Sequence, residues 1–522
     1  MKKYLMIVSF IFHLNYLQAQ NNFAKLITQP PSYAYGVLVK AKTNREFLVL
    51  GLKSEFKFSY LLDSLGNLKW SHKYFIPTTS ISYQTNIFDF AFTEDNGFMA
   101  VGGTPDQTTY KEGITLIKFD SLGRISWTKR FLHTFESVAT AIINVAGNKF
   151  AICAQTLLLN NQEKYRAINF TLIDSAGNII NSKRIGSDSM SFVPHQMKAL
   201  GSGYIIEGEW NMGTKNNYST RYFLLKINSS GQVIKAKTLN IYNYYKGVGI
   251  TVTHDNKILY SFGNGINNAF TIMKLDEDLN ISWCKKIIGG GGNRLDLTKL
   301  EELQDSTYLL YGEVGLSSSG GKPIGCKLDT SGNVIKGFTI NYTNHEYGNQ
   351  AVTSGNKILF QSLSDPIPGG PSSDFFVTSD YDFNGLCMKA NVTLSLVPFT
   401  VTDSLITLNR FSNYLNVTID TIPYIDTLLD YTFTDLCPSS AVNENSSEPS
   451  IINIFPIPVN SILRVKLSNA KDITILNLLG DVVLKKDFRF NVNEMVQVDA
   501  SSLPSGIYFL KAGTVVTKFI KE

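Results

Sequence analysis

The chain has 522 residues, too many for one ordinary domain but within reach of a single repeat architecture. Hydrophobic residues make up 43%, aromatic residues 12% and charged residues only 17%, which excludes a disordered chain and favours strands over helices. The formal net charge of +5 is dispersed, with no Lys/Arg run longer than two, and this excludes a nucleic-acid partner.

The N-terminus reads as a signal peptide over residues 1–19. Lys2 and Lys3 form a basic start, Tyr4 to Phe12 an apolar run, and Leu17-Gln18-Ala19 a cut site before Gln20. Removing the leader leaves a net charge of +3. No later segment holds the roughly 18 consecutive apolar residues of a membrane-spanning helix.

Next comes a lone strand, Phe23 to Ile27, with no hairpin partner before it. A hairpin pattern then returns seven times. Asp63 stands with Gly66, Asp120 with Gly123, Asp174 with Gly177, Asn228 with Gly231, Asp329 with Gly332 and Asp382 with Gly385. Asp276 holds the same place, with Leu279 replacing the glycine. The steps are 57, 54, 54, 48, 53 and 53 residues, so one supersecondary unit is repeated. Period-two alternation flanks each turn, as in Leu225-Lys226-Ile227 before and Trp127-Thr128-Lys129 after. Asp accepts from backbone N–H groups to start such a turn, and Gly supplies the positive φ that ends it. Two more strands precede each hairpin, for example Ile87 to Phe92 with Phe98 to Gly102, and Leu297 to Leu303 with Tyr308 to Gly312.

Four strands per unit point to an all-β fold, a seven-bladed β-propeller over residues 21–390. The lone N-terminal strand would complete the last blade and remove two sheet edges. A linear β-solenoid or two stacked sandwiches would also use these strands, but neither explains the lone strand. The hairpin resembles two propeller signatures, the quinoprotein repeat and the sialidase Asp-box. Asp and Gly are one residue closer here than in the first and one further apart than in the second. The resemblance implies a blade hairpin, and neither a quinone cofactor nor a sialidase site.

Residues 391–437 read as a small β segment with Thr-rich strands at Val392 to Val397 and Tyr414 to Ile419. Cys387 and Cys437 bracket it, and export would permit a disulfide between them. Cys153, Cys284 and Cys326 fall in expected strands and read as buried free thiols. Residues 438–450, rich in Ser, Asn and Glu, form a polar linker.

Residues 451–522 return to short strands: Ile451 to Phe455, Ile462 to Leu467, Ile473 to Leu478, Val482 to Lys485, Met495 to Val498, Ile507 to Lys511 and Val515 to Ile520. That number of strands in so short a stretch predicts a compact Ig-like β-sandwich. Three blocks carry a specific resemblance. The first is Phe455-Pro456-Ile457-Pro458-Val459-Asn460, the second Leu478-Leu479-Gly480-Asp481-Val482-Val483, and the third Leu503-Pro504-Ser505-Gly506-Ile507-Tyr508 with Thr517-Lys518-Phe519 beyond it. In order and spacing they resemble the type A C-terminal sorting domain of type IX secretion, with Phe455 where that family has Tyr and Ile457 where it has Asn. Pro456, Pro458, Asn460, Gly480, Leu503, Gly506, Tyr508 and Lys518 are the positions that carry it. The resemblance implies a route through the periplasm to the outer-membrane translocon and its sorting machinery. The tail is then removed, and the cargo is released or attached to surface lipopolysaccharide.

Catalytic and metal signatures are absent. Neither His-Glu-x-x-His, Gly-x-Ser-x-Gly nor a Walker Gly-Lys-Ser/Thr occurs, and the five histidines beyond the leader are far apart. Gly289 to Gly292 lacks the lysine of a phosphate loop, and Asp276-Glu277-Asp278 fails as a calcium loop at Ile281 and Ile287. No cofactor, metal or catalytic residue is therefore expected. Asp63-Ser64-Leu65, Asp120-Ser121-Leu122, Asp403-Ser404-Leu405 and Asp426-Thr427-Leu428 resemble the O-glycosylation signal of bacteria with this secretion system. Two functions fit the cargo: a binding or adhesion scaffold for a glycan or protein ligand, or an extracellular polysaccharide hydrolase or lyase acting from the propeller top face.

Overall fold

The structure is a computed structural model. It describes residues 23–435 and 453–522, apart from 29–33, 43–45, 54–55, 77–85, 107–110, 134, 161–162, 188–189, 213–219, 243–247, 265–268, 289–293, 317–319, 341–345, 365–372, 385, 387–388, 393, 407, 409, 414–417, 430–431, 456–457, 467–469, 478–480, 493–494 and 513–514. The expected leader, the polar linker and the Cys387–Cys437 pair lie outside the described residues. The chain divides into two compact units, Met1–Cys437 and Pro438–Glu522. The described residues are all strand and turn, and no helix among them could cross a membrane.

The repeat is built on its turn. At Asp63 the backbone N–H donates to the Asn67 carbonyl at 2.9 Å, and Gly66 N–H returns to the Asp63 carbonyl at 3.0 Å. The Asp63 carboxylate accepts from the N–H groups of Leu65 and Asn67, both at 2.8 Å. Gly66 has φ +76°, as the bulge position of a three-residue hairpin requires, and a second slip between Leu61 and Leu62 leaves Lys69 as an extra residue. The same bonds form at Asp120, Asp174, Asn228, Asp276 and Asp329. The seventh turn corrects the sequence reading. It starts at Asp380, not Asp382, and Phe383 at φ +58° fills the place assigned to Gly385. Leu279 does the same at φ +62°. Both side chains are fully buried, and that burial (about 1.5–3 kcal/mol each) offsets the cost of a left-handed backbone.

Each repeat forms one antiparallel sheet of four strands. The second, for example, runs Asn86–Phe92, Phe98–Pro105, Glu112–Phe119 and Ile125–Leu132. Seven such sheets follow in chain order. The last takes its fourth strand from the N-terminus, where Ala24–Thr28 pairs with Ser373–Asp380. Each sheet's fourth strand reaches the turn of the next sheet. Trp127 and Trp283 lie so close over Gly177 and Gly332 that a Cβ at either glycine would meet the ring at 2.7 Å. Lysines two places on reach the turn asparagines, Lys129 to Asn178 at 3.2 Å and Lys285 to Asn333 at 2.7 Å. Phe23 and Lys25 of the seventh sheet do the same to Gly66 and Asn67 of the first. Aromatic side chains between neighbouring sheets complete the packing, as where Tyr60 lies edge-on to Phe376 with centroids 6.2 Å apart.

The segment expected as a small separate β segment, 391–437, does something else. Lys389–Asn391, Ser395–Pro398, Asp403–Leu405, Arg410–Asn413, Thr418–Asp420, Ile425–Leu428 and Thr432–Asp435 each add a fifth strand to one sheet. They pair in turn with the sixth, fifth, fourth, third, second, first and seventh sheets. This strap therefore covers the outer edge of every sheet. Its strands are too short to hold by backbone bonds worth about 1 kcal/mol each. Buried Leu394, Val401 and Ile422 contribute about 1.5–3 kcal/mol each. Asp403, Asp420 and Asp426 pair with Lys237 at 2.8 Å, Arg130 at 3.0 Å and His72 at 2.6 Å.

In the C-terminal unit all seven short strands appear, in a three-stranded and a four-stranded antiparallel sheet. Ile462–Lys466 and Met495–Asp499 of the first and Ala470–Leu476, Gly506–Ala512 and Val515–Lys521 of the second share one core. Leu463, Val465, Ile473, Ile475, Leu510 and Phe519 are fully buried there.

A chain ended at residue 388 exposes every sheet edge and is expected to aggregate, whereas one ended at 437 stays monomeric by light scattering. At the sixth turn, Asp329→Ala removes bonds from the N–H groups of Ser331 and Asn333 and is expected to cost about 1–2 kcal/mol in urea unfolding. Asp329→Asn is expected to be nearly neutral at pH 7, because Asn228 already does this work. The Asn333 N–H holds the Asp329 carboxyl below the usual range, against the opposing effect of burial. Its contribution is therefore full above pH 4 and lost as pH falls further, a loss that Asp329→Asn removes.

Candidate functional site

The first strand of every one of the seven sheets lines a single cavity of about 910 Å³. In six of them the register slips in mid-strand. Such bulges re-aim side chains. Four of the extra residues, Phe88, Thr140, His195 and Thr298, line the cavity.

Charge is concentrated on this lining. Lys40, Lys198 and Lys299 face Asp89, Glu209 and Glu301, with Arg166 also in the wall. Lys40 pairs with Asp89 at 2.6 Å, and the other Asp89 oxygen accepts from Ile142 N–H at 3.0 Å. Lys299 lies 3.8 Å from Glu301, which also accepts from the Thr353 hydroxyl at 3.0 Å. His195 stands 3.9 Å from both Glu207 and Glu209. Glu207 is fully buried behind the lining. Burial, then the neighbouring Glu209 charge, pushes its carboxyl well above the usual range, outweighing Gln196 N–H and Lys198. Among the described residues its oxygens otherwise find no hydrogen-bond donor, and burial favours its protonated form.

Lys198 differs from the other two lysines. It has neither an ion pair nor a hydrogen bond among the described residues. Enclosure by protein, then Lys299 and Lys40, lowers its ammonium to about 8, with Asp89 and Glu301 acting the other way. No group of His, Cys, Asp and Glu among the described residues is arranged to hold a metal ion. Cys153 and Cys326 are buried free thiols and Cys284 a half-buried one, with burial pushing Cys284 and Cys326 up to about 12. Ser121, Ser404 and Thr427 of the acidic triplets are exposed.

In the C-terminal unit the structure joins the first and last sequence blocks. Val459 N–H donates to Ile520 at 2.8 Å, and Glu522 N–H donates back to Val459 at 3.0 Å. Pro458 and Asn460 flank this junction and are exposed. Leu503 is in the core, and Gly506 opens the strand that pairs with Lys521. Tyr508 stacks on Phe519 with centroids 5.7 Å apart and donates its hydroxyl to the Pro504 carbonyl at 2.8 Å. Lys518 is exposed opposite Phe509. Pro456 and Gly480 lie outside the described residues. Val459 stands in the first block without an assigned role and Glu522 in none of them, because their backbone pairing carries no side-chain signature.

No curated protein matches the chain. Solved structures that resemble it include a protein of unknown function from Dyadobacter fermentans, at 11% identity and TM-score 0.37, covering 69% of this chain and 98% of that one. The subtype N10 neuraminidase-like protein of A/little yellow-shouldered bat/Guatemala/060/2010 is 10% identical with TM-score 0.36, covering 58% and 98%. An exo-beta-1,3-galactanase from Clostridium thermocellum is 10% identical with TM-score 0.29, covering 78% and 87%. Likeness at this level carries no functional argument. Residues 453–522 match the family model of the secretion system C-terminal sorting domain, so this is an exported chain, secreted or held at the outer-membrane surface, that ends in a type IX sorting domain.

Proposed function

We propose that the seven sheets are the blades of a closed seven-bladed β-propeller and that the propeller is a non-catalytic binding scaffold. The Ig-like C-terminal sandwich serves as its export signal. The cargo takes a glycan or protein ligand at the cell surface or in the medium, released or attached to lipopolysaccharide once the tail is gone. The reading rests on the axial cavity, to which every sheet contributes its first strand. What favours binding over hydrolysis is the state of the carboxylates there. A glycosidase needs one carboxylate free to attack or activate water and one acid free to protonate the leaving group. Asp89 is held by Lys40, Glu301 by Thr353, and Glu209 sits beside His195. Glu207, the carboxyl whose protonated form burial favours, is fully buried behind the lining.

Deleting 438–522 is expected to leave the rest of the chain in the periplasm; normal appearance in the medium would overturn the export reading. A glycan and polysaccharide panel on residues 21–437, scored for retention and for released sugar, tests the cargo. Retention without cleavage is expected. Released oligosaccharide that Asp89→Asn or Glu301→Gln abolishes would overturn the scaffold reading in favour of a hydrolase or lyase.

A further inference from the structure

We propose that the cavity is an anion site, in which Lys198, flanked by Lys40 and Lys299, receives a carboxylate or phosphate group of the ligand. The inference rests on the scaffold reading above and gives its ligand a chemical class. The geometry that carries it is an imbalance among the three lysines. Lys40 has Asp89 at 2.6 Å and Lys299 has Glu301 at 3.8 Å. Lys198 has no acceptor among the described residues, although its side chain lines the same cavity. Lys198 is half-buried with its side chain in the cavity wall, so an anion entering the cavity can supply the acceptor that the described residues do not.

The groups facing Lys198 come from several sheets. Lys40 belongs to the first, Asp89 to the second and Arg166 to the third. His195 and Glu209 come from the fourth, with Glu207 buried behind them, and Lys299 and Glu301 from the sixth. Asp89 and Glu301 already have donors on their own or adjoining sheets. An anion brought to Lys198 therefore meets one free ammonium, with two further cations near enough to repel it while the site is empty. Gln155, Gln196 and Gln350 in the same wall can bind the remaining polar groups of a ligand.

Proton linkage makes the site legible. Lys198 in the empty cavity titrates near 8, and an anion beside it holds the proton on. Affinity is then full below pH 8 and falls by about tenfold between pH 7 and pH 9, because the free protein must first take up a proton. A neutral ligand held by the amides alone would give no such slope.

The test uses the exported protein, titrated calorimetrically with citrate as the carboxylate probe and inorganic pyrophosphate as the phosphate probe. Saturable binding of at least one is expected, weakening about tenfold from pH 7 to pH 9. Lys198→Met is expected to weaken it by about tenfold or more, and Lys149→Met, at an exposed strand end away from the cavity, to leave it unchanged. Which probe binds more tightly identifies the anion. Lys198→Met keeps the apolar stem and removes a repelled charge, so the empty variant is expected to melt no lower than the parent at pH 7. That melt separates a lost site from a lost fold. No saturable binding of either probe, or binding indifferent to Lys198→Met, would overturn the proposal. Retention of neutral glycans in that case would leave the scaffold reading standing.

Discussion

Everything in the cargo depends on how one sheet grips the turn of the next. The turn residue must have a left-handed backbone; at five of the seven turns it is a glycine with an aromatic ring packed where a Cβ would stand, and at the other two Leu279 and Phe383 bury their own side chains. Trp127 over Gly177 and Trp283 over Gly332 each combine a buried apolar contact with a lysine reaching the adjacent asparagine. Phe23 over Gly66 repeats the grip across the chain ends, so the first and seventh sheets are joined as the others are. Because every sheet is held at the same point, the first strands converge and one cavity results.

Such an arrangement protects the inner edges and leaves the outer ones bare. The strap resolves this by adding one short strand to each sheet, running back from the sixth to the first and ending on the seventh. It closes on Ala24–Thr28, so the chain's first and last cargo strands lie side by side in the seventh sheet. For a chain that must cross two membranes, sheets without bare edges carry less risk of pairing with other chains. The export signal begins only after the strap ends, in a unit with its own core.

Much of this was legible because it is local. Alternation around Asp63 or Asp120 lies within a dozen residues, and the sorting blocks around Tyr508 and Lys518 are contiguous. Glycine as a marker misplaces the seventh turn. The backbone requires only a positive φ, and at Phe383 the burial of the ring supplies what glycine supplies elsewhere. In sequence the strap reads as a small β segment of its own, because its three- and four-residue strands pair with partners up to about four hundred residues away. Val392 and Ile419 look alike whether they pair with each other or with seven different sheets. The cavity was invisible for a related reason. Lys40, Asp89, Lys198 and Lys299 have no common spacing and meet only because their sheets converge.

Hydrogen exchange of the backbone amides, read by mass spectrometry on the exported protein, tests this arrangement most directly. Peptides from 24–28 and from the strap over 389–435 should be protected to the same degree as the outer repeat strands they pair with, and should lose protection together with them in denaturant. Exchange of the strap within seconds, at the rate of an unstructured linker and independent of the sheets, would contradict the account.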